Sequence, residues 1–255
     1  MADTADVTQA FDIEISTQGT MPGAEDYVRS KLGGLNKYTR RPILHARVRL
    51  TRHQHGSPDR PVVPQANINV GGRFIRAQVE GDNVREAVDR LEDRLRLQID
   101  RITGKWEAKR EQPRPLHRPS FFPRAKEERQ IIRRKSYTLA TATLDEAVTE
   151  MELLDYDFHL FTEKGTGQDC VLYHDDEGYR IAQITPTSPE ELAPHTVEVS
   201  ISPHPAPKLT VDEATERMNM LGVPFLYFVE AESGRGNVLY HRYDGHYGLL
   251  TPADA

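Results

Sequence analysis

The chain has 255 residues, 28% of them charged and 37% apolar, and a net charge of −6 at neutral pH. That length accommodates two or three small domains, and no apolar run approaches the roughly 20 residues a membrane span requires. The single cysteine, Cys170, excludes an internal disulfide framework and a cysteine-rich metal site; with no apolar signal core in the first nine residues, a cytoplasmic, reducing setting is expected.

Residues 1–105 hold 17 Lys and Arg against 14 Asp and Glu. Alternation of Phe11, Ile13 and Ile15 with polar neighbours predicts a strand over 11–16. Pro22 suits the first turn of a helix whose apolar face is Ala24, Val28, Leu32 and Leu35, weakened at its end by Gly33 and Gly34. A strand follows over 44–51, with Leu44, Ala46, Val48 and Leu50 on one side and His45, Arg47 and Arg49 on the other. Residues 66–70 and 74–80 form a hairpin about Gly71-Gly72, a good two-residue turn. The segment 83–104 is a strong helix, with Val84, Val88, Leu91, Leu95, Ile99 and Ile102 at three- and four-residue steps. The order β-α-β-β-β-α predicts an α+β domain with two helices on one face of a four-stranded sheet.

The last helix carries Arg90, Arg94, Arg101 and Lys105 as a stripe beside its buried face, with Arg73, Arg76, Arg85 and Arg96 near it. The first helix adds Arg29, Lys31 and Lys37, followed by Arg40 and Arg41. Guanidinium groups suit phosphate because they donate in a planar fork. Glu86, Asp89, Glu92, Asp93 and Asp100 interleave, so the same stripe also reads as a solvated face laced with ion pairs.

Residues 106–129 are a predicted linker in which Pro113, Pro115, Pro119 and Pro123 block regular structure and Arg110, Arg114, Arg118 and Arg124 add charge. Phe121 and Phe122 within it suit either base stacking or anchoring. Over 106–136 there are 10 basic against 4 acidic residues, and over 137–255 there are 6 against 21. A basic front and an acidic back point to a partner with a strong field of its own, nucleic acid for the front.

The acidic part is duplicated. Thr143-Leu144-Asp145-Glu146-Ala147 recurs as Thr210-Val211-Asp212-Glu213-Ala214, and Val171-Leu172-Tyr173-His174 as Val238-Leu239-Tyr240-His241. At this offset 15 of 36 positions over 143–178 are identical, where background composition gives roughly two. Each copy predicts a helix with Ala147, Met151 and Leu154, or Ala214, Met218 and Leu221, on its buried face. Aromatic strands follow at 158–163 and 225–230, then the Val-Leu-Tyr-His strands and a final strand. With an earlier strand near 131–138 or 197–202, the unit is β-α-β-β-β, and the copies span 130–187 and 195–255. A unit of about 55 residues buries only a modest core, so pairing of the copies is expected.

No constellation of catalytic type emerges. His174-Asp175-Asp176-Glu177 is replaced in the second copy by His241-Arg242-Tyr243-Asp244, and His53 and His55 stand in a polar loop. There is no phosphate-cradling glycine loop and no nucleophile with partners. No enzyme, cofactor or metal site is expected.

The strand start Ile13-Glu14-Ile15-Ser16, the hairpin into Gly72-Arg73-Phe74-Ile75-Arg76-Ala77 and the helix start Val84-Arg85-Glu86-Ala87-Val88-Asp89 resemble the N-terminal domain of ribosome hibernation promoting factors. Both copies resemble the C-terminal domain of the long-form members, through the Asp-Glu-Ala helix start, Met…Leu…Phe…Phe-x-Glu, Val-Leu-Tyr and the closing Tyr247-Gly248-Leu249-Leu250-Thr251-Pro252. The resemblance implies a protein that occupies the decoding region of the small ribosomal subunit, overlaps the mRNA and tRNA sites and stops translation without chemistry. It assigns rRNA phosphate contacts to Lys31, Lys37, Arg76, Arg90, Arg94 and Arg101, and leaves the acidic copies available to ribosomal proteins.

A usual long form has one C-terminal domain, which self-associates and joins two ribosomes; this chain has two. They are expected to pair within the chain as a pseudo-dimer rather than form a homodimer, through Phe158, Phe161, Val171 and Tyr173 of one copy and Phe225, Phe228, Val238 and Tyr240 of the other. The alternative function is a general RNA-binding stress protein or RNA chaperone with an acidic protein-interaction module, which would bind free RNA and ribosomes comparably.

Overall fold

A computed structural model describes residues 11–52, 61–103, 124–175 and 178–253. The proline-rich tether with Phe121 and Phe122, the pair His53 and His55, Asp176 with Glu177, and the first ten residues lie outside the described residues. The chain divides into two compact units.

The front unit is built from β1 (Ile13–Gln18), α1 (Ala24–Leu32), β2 (Ile43–Thr51), β3 (Val63–Val70), β4 (Arg73–Gln78) and α2 (Val84–Ile102). Its sheet runs β1-β2-β3-β4, with β1 parallel to β2 and the remaining pairs antiparallel. Ala46, Val48, Leu50, Ala66, Ile68, Val70, Ile75 and Ala77 form the covered face. They pack with Ala24, Val28 and Leu32 of α1 and Val88, Leu91, Leu95 and Ile99 of α2 into one core. The first helix stops at Gly33, earlier than its apolar period suggests, and Leu35 fills the core from a short 3-10 turn. Gly71 and Gly72 both take positive φ, 56° and 87°, as a two-residue hairpin turn twisted to match its strands requires. At the start of α2 the Asn83 side chain accepts from the Glu86 amide at 3.0 Å, and the Glu86 carboxylate accepts from the Asp82 amide at 3.0 Å, a reciprocal N-terminal cap.

The back unit holds the two copies. The first contributes β6 (Thr141–Ala142), α3 (Leu144–Leu153), β7 (Phe158–Glu163), β8 (Asp169–Asp175) and β9 (Gly178–Gln183). The second contributes β11 (Lys208–Leu209), α4 (Val211–Leu221), β12 (Phe225–Glu230), β13 (Gly236–His241) and β14 (Tyr247–Pro252). Both helices start on a threonine capping box: Glu146 and Glu213 accept from the amides of Thr143 and Thr210 at 2.9 and 2.8 Å, and each threonine hydroxyl accepts in return.

The strands that precede each copy are exchanged. β5 (Ile131–Tyr137), ahead of the first copy, pairs parallel with β14 of the second, and β10 (Val199–Ile201), ahead of the second, pairs parallel with β9 of the first. The sheets therefore run β10-β9-β8-β7-β6 and β11-β12-β13-β14-β5. The expected order β-α-β-β-β holds along each copy, with the short β6 and β11 added ahead of the helices, but the first strand of each copy joins the other copy's sheet, for a reason of reach. Joining its own sheet beyond β9 would take β5 four strand spacings from β6, about 19 Å. The three residues 138–140 span at most roughly 14 Å between the two strands.

Three apolar layers result. Phe161, Cys170, Leu172 and Ile181 pack under α3 with Ala147 and Met151. Phe228, Leu239, Tyr247 and Leu249 pack under α4 with Ala214 and Met218. Leu139, Leu160 and Val171 meet Tyr227 and Val238 in the layer between the two sheets.

The turns after β7 and β12 share a device. Buried Glu163 accepts from the amides of Gly165, Thr166 and Ala193 at 2.9, 2.8 and 2.9 Å, and Glu230 accepts from Glu232 and Ser233 at 2.9 and 2.7 Å. Burial alone would raise the Glu163 carboxyl, but the amide bonds outweigh it and hold it below its ordinary value; the Ser233 amide leads the same lowering at Glu230. A folded-state pKa below the unfolded one contributes stability that is complete above the ordinary carboxylate range and is lost as pH falls through the folded value. Urea midpoints of the back unit are therefore expected to be level from neutrality to about pH 5 and to fall below about pH 4. Glu163→Gln should lower the neutral midpoint and flatten that fall; an unchanged acid profile would refute the assignment.

Candidate functional site

The basic residues expected to meet rRNA lie on α1 (Lys31), the 3-10 turn (Lys37), β4 (Arg76) and α2 (Arg90, Arg94 and Arg101); Lys105 lies outside the described residues. Lys31 projects from α1 to α2, where its ammonium meets Asp89 at 2.7 Å and Glu92 at 3.7 Å. The Tyr27 hydroxyl donates to the same Asp89 carboxylate at 2.8 Å. The hydrogen bond between Lys31 and Asp89 raises the ammonium pKa and lowers that of the carboxyl. Arg90 meets Glu86 one turn back at 2.6 Å and donates to the Glu80 carbonyl at 2.8 Å. Arg96 lies 4.2 Å from the centroid of the Tyr38 ring and Arg85 lies 5.4 Å from that of Tyr27. Arg94 stands half-buried on α2 one turn beyond Arg90. Arg101 donates to Gln98 at 3.1 Å, and Arg76 to Gln78 at 2.5 Å. Lys37 is exposed in the 3-10 turn.

The interleaved acids thus do form ion pairs with Lys31 and Arg90. Such exposed pairs contribute only about 0–1 kcal/mol each, little enough for a phosphate to displace the carboxylate.

The uncovered sheet face carries a grouping that spacing had not placed together. Phe74 is 64% exposed and Leu44 56%. Phe74 shares its face with Arg76, because Ile75 and Ala77 take the covered one. Arg41 lies against the turn at Gly71, where an added Cβ would come within 3.0 Å of the Arg41 side chain, and Arg73 follows that turn. The strand period of two was the signal for Phe74: once Ile75 and Ala77 are assigned to the core, Phe74 and Arg76 point away from it.

In the back unit, Phe158, Tyr173, Phe225 and Tyr240 meet between the sheets. Phe158 and Phe225 have ring centroids 4.9 Å apart, Tyr173 and Phe225 5.3 Å, and Phe158 and Tyr240 5.7 Å. Val171 and Val238 are fully buried in the same layer. Phe161 and Phe228 are not there: each packs under its own helix, since it lies three positions along the strand from Phe158 or Phe225 and an odd step reverses the face. Leu139, Leu160 and Tyr227 occupy the layer in their stead.

The acidic run at His174 is structural where it is described. Asp175 pairs with Arg180 across the β8–β9 hairpin at 2.8 Å, and His174 packs on Tyr179 with centroids 4.9 Å apart. Burial pushes the Cys170 thiol up to about 12, the opposite of an activated nucleophile. Among the described residues no helix is long and apolar enough to cross a membrane.

Residues 14–107 match the family described as sigma 54 modulation protein / S30EA ribosomal protein. The C-terminal domain of that family matches twice, over 126–181 and 199–249. The dormancy associated translation inhibitor of Mycobacterium tuberculosis is 37% identical over 218 residues, covering 81% of this chain and 76% of that protein. The chain belongs to the ribosome hibernation factor family. Another of these hibernation factors, the ribosome hibernation promotion factor of Deinococcus radiodurans, is 28% identical over 174 residues, 60% of this chain and 87% of that one. Among solved structures, the N-terminal domain of Thermus thermophilus Protein Y is 23% identical with a TM-score of 0.30, covering 35% of this chain and 94% of that one. The hibernation factors are ribosome-associated inhibitors of translation and not enzymes.

Proposed function

We propose that this hibernation factor, a cytoplasmic protein, binds the small ribosomal subunit at its decoding region through the front unit. It blocks the mRNA and tRNA sites and preserves inactive ribosomes singly. Lys31, Lys37, Arg76, Arg90, Arg94 and Arg101 are the proposed rRNA phosphate contacts. Phe74, flanked by Arg73 and with Arg41 at the adjoining turn, adds a stacking surface of the kind unpaired bases use. The acidic copies are proposed to face ribosomal proteins.

The observation that carries the single-ribosome reading is the reciprocal exchange of β5 and β10. It supports that reading because each sheet then has its own helix on one face and the other copy's sheet on the other.

Binding to purified small subunits should be displaced by mRNA, and Lys37→Glu with Arg90→Glu should weaken it at least about tenfold and reduce its log–log salt slope by roughly 2. Equal affinity of the double variant, or equal binding of the native chain to unstructured RNA at physiological salt, would overturn the reading.

A further inference from the structure

The two copies keep the same residues across most of their shared layer: Phe158 and Phe225, Val171 and Val238, Tyr173 and Tyr240 are equivalent positions. Several equivalent positions break the match, Leu139 against Ala206 among them, and three of them supply residues to one corner around the buried Asp169. Leu160 is matched by Tyr227, Gln168 by Arg235 and Asp169 by Gly236.

At that corner Asp169 is 5% exposed. Its carboxylate accepts from Arg235 Nε at 2.7 Å and from the Gly236 amide at 3.1 Å. Its carbonyl accepts from the Tyr227 hydroxyl at 2.6 Å. Gly236 has no room for a side chain, because a Cβ there would stand 2.6 Å from the Tyr227 hydroxyl and 3.0 Å from Asp169 Cβ. The acid, the base, the phenol and the missing side chain are one complementary set, and each copy holds only part of it.

We propose that this corner makes the pairing heterotypic: the first copy fits the second, and neither fits a duplicate of itself. Pairing two first copies would bring two aspartates together at positions where the glycine now gives way, in a site that excludes water. Pairing two second copies would set two half-exposed guanidinium groups at the corner with no carboxylate between them. The first arrangement leaves buried carboxylates uncompensated, and the second leaves like charges facing each other without a counter-ion; both disfavour like copies. The partner this surface accepts is the unlike copy, and self-association through like copies is closed. This inference deepens the cis-pairing part of the proposed function and rests on it, but not on ribosome binding.

The test uses the full chain. R235Q/G236D gives the second copy the corner residues of the first, and Q168R/D169G does the converse. Each is expected to lower the melting temperature of the back unit, R235Q/G236D by about 10 °C or more. The transposed chain, L160Y/Q168R/D169G/Y227L/R235Q/G236D, exchanges the whole corner and should recover at least half of that loss. A melting temperature for R235Q/G236D within about 2 °C of the native chain would overturn the proposal. So would a loss that transposition does not recover, since the fault would then lie within one copy. Light scattering of the native chain separates the premise from the inference: a monomer upholds cis pairing, and a dimer removes it along with what is built on it.

Discussion

A chain ending at residue 195 is expected to lose its first copy as a folded unit, although that copy keeps its helix α3 and the strands β6 to β9. The cut removes β10, leaving β9 an open edge, and removes β14, leaving β5 without a partner. It also uncovers the sheet face carrying Leu160 and Val171, which are 1% and 0% exposed in the full chain. Restoring those two side chains to water forfeits about 3–6 kcal/mol, as much as a core of this size supplies in total. Hydrogen exchange reads the outcome directly: β8 amides protected in the full chain should exchange at unfolded rates in the shortened one, while α2 keeps its protection. Retained protection of β8 would mean that each copy folds alone.

Val238→Asp should be nearly as damaging without any truncation. Val238 is fully buried between the sheets, opposite Val171 and beside Leu160 and Tyr227. Among the described residues, the layer around it is made of apolar and aromatic side chains. Either a carboxylate there stays charged at the cost of an uncompensated buried ion, about 3–5 kcal/mol, or it takes up a proton and costs a neutral polar group without partners. The urea midpoint of the back unit should fall accordingly. Met220→Asp on the exposed side of α4, where Met220 is 74% exposed, should change stability by no more than about 0.5 kcal/mol. Equal effects of the two would mean that the layer between the sheets is not dry.

The contrast shows which parts of the structure are local and which are not. The helix α2 announces itself because six apolar residues fall on one face over five turns, and Gly71-Gly72 because few other pairs tolerate two positive φ values in succession. The duplication is visible as identity at a fixed offset. The destination of β5 is not, because Ile131 to Tyr137 reads as a strand whichever sheet receives it; only the shortness of 138–140, set against the strand order, decides. The misplacement of Phe161 and Phe228 had a local remedy in the period of two along β7 and β12. On the front unit the basic stripe was legible as charge, and the Arg90–Glu86 pair as a four-residue step along α2, but whether Lys31 meets acids depended on how α1 packs against α2. The corner at Asp169 shows as three mismatches in the duplication, whose meaning comes only from the two sheets facing each other.

Sedimentation of ribosomes through sucrose gradients after addition of the full chain reads whether the copies pair within one chain or between two. The protein is expected to travel with single ribosomes, inactive in translation, with no added peak of joined pairs. Abundant ribosome dimers carrying the protein would contradict pairing within one chain, because they require the copies to pair between chains.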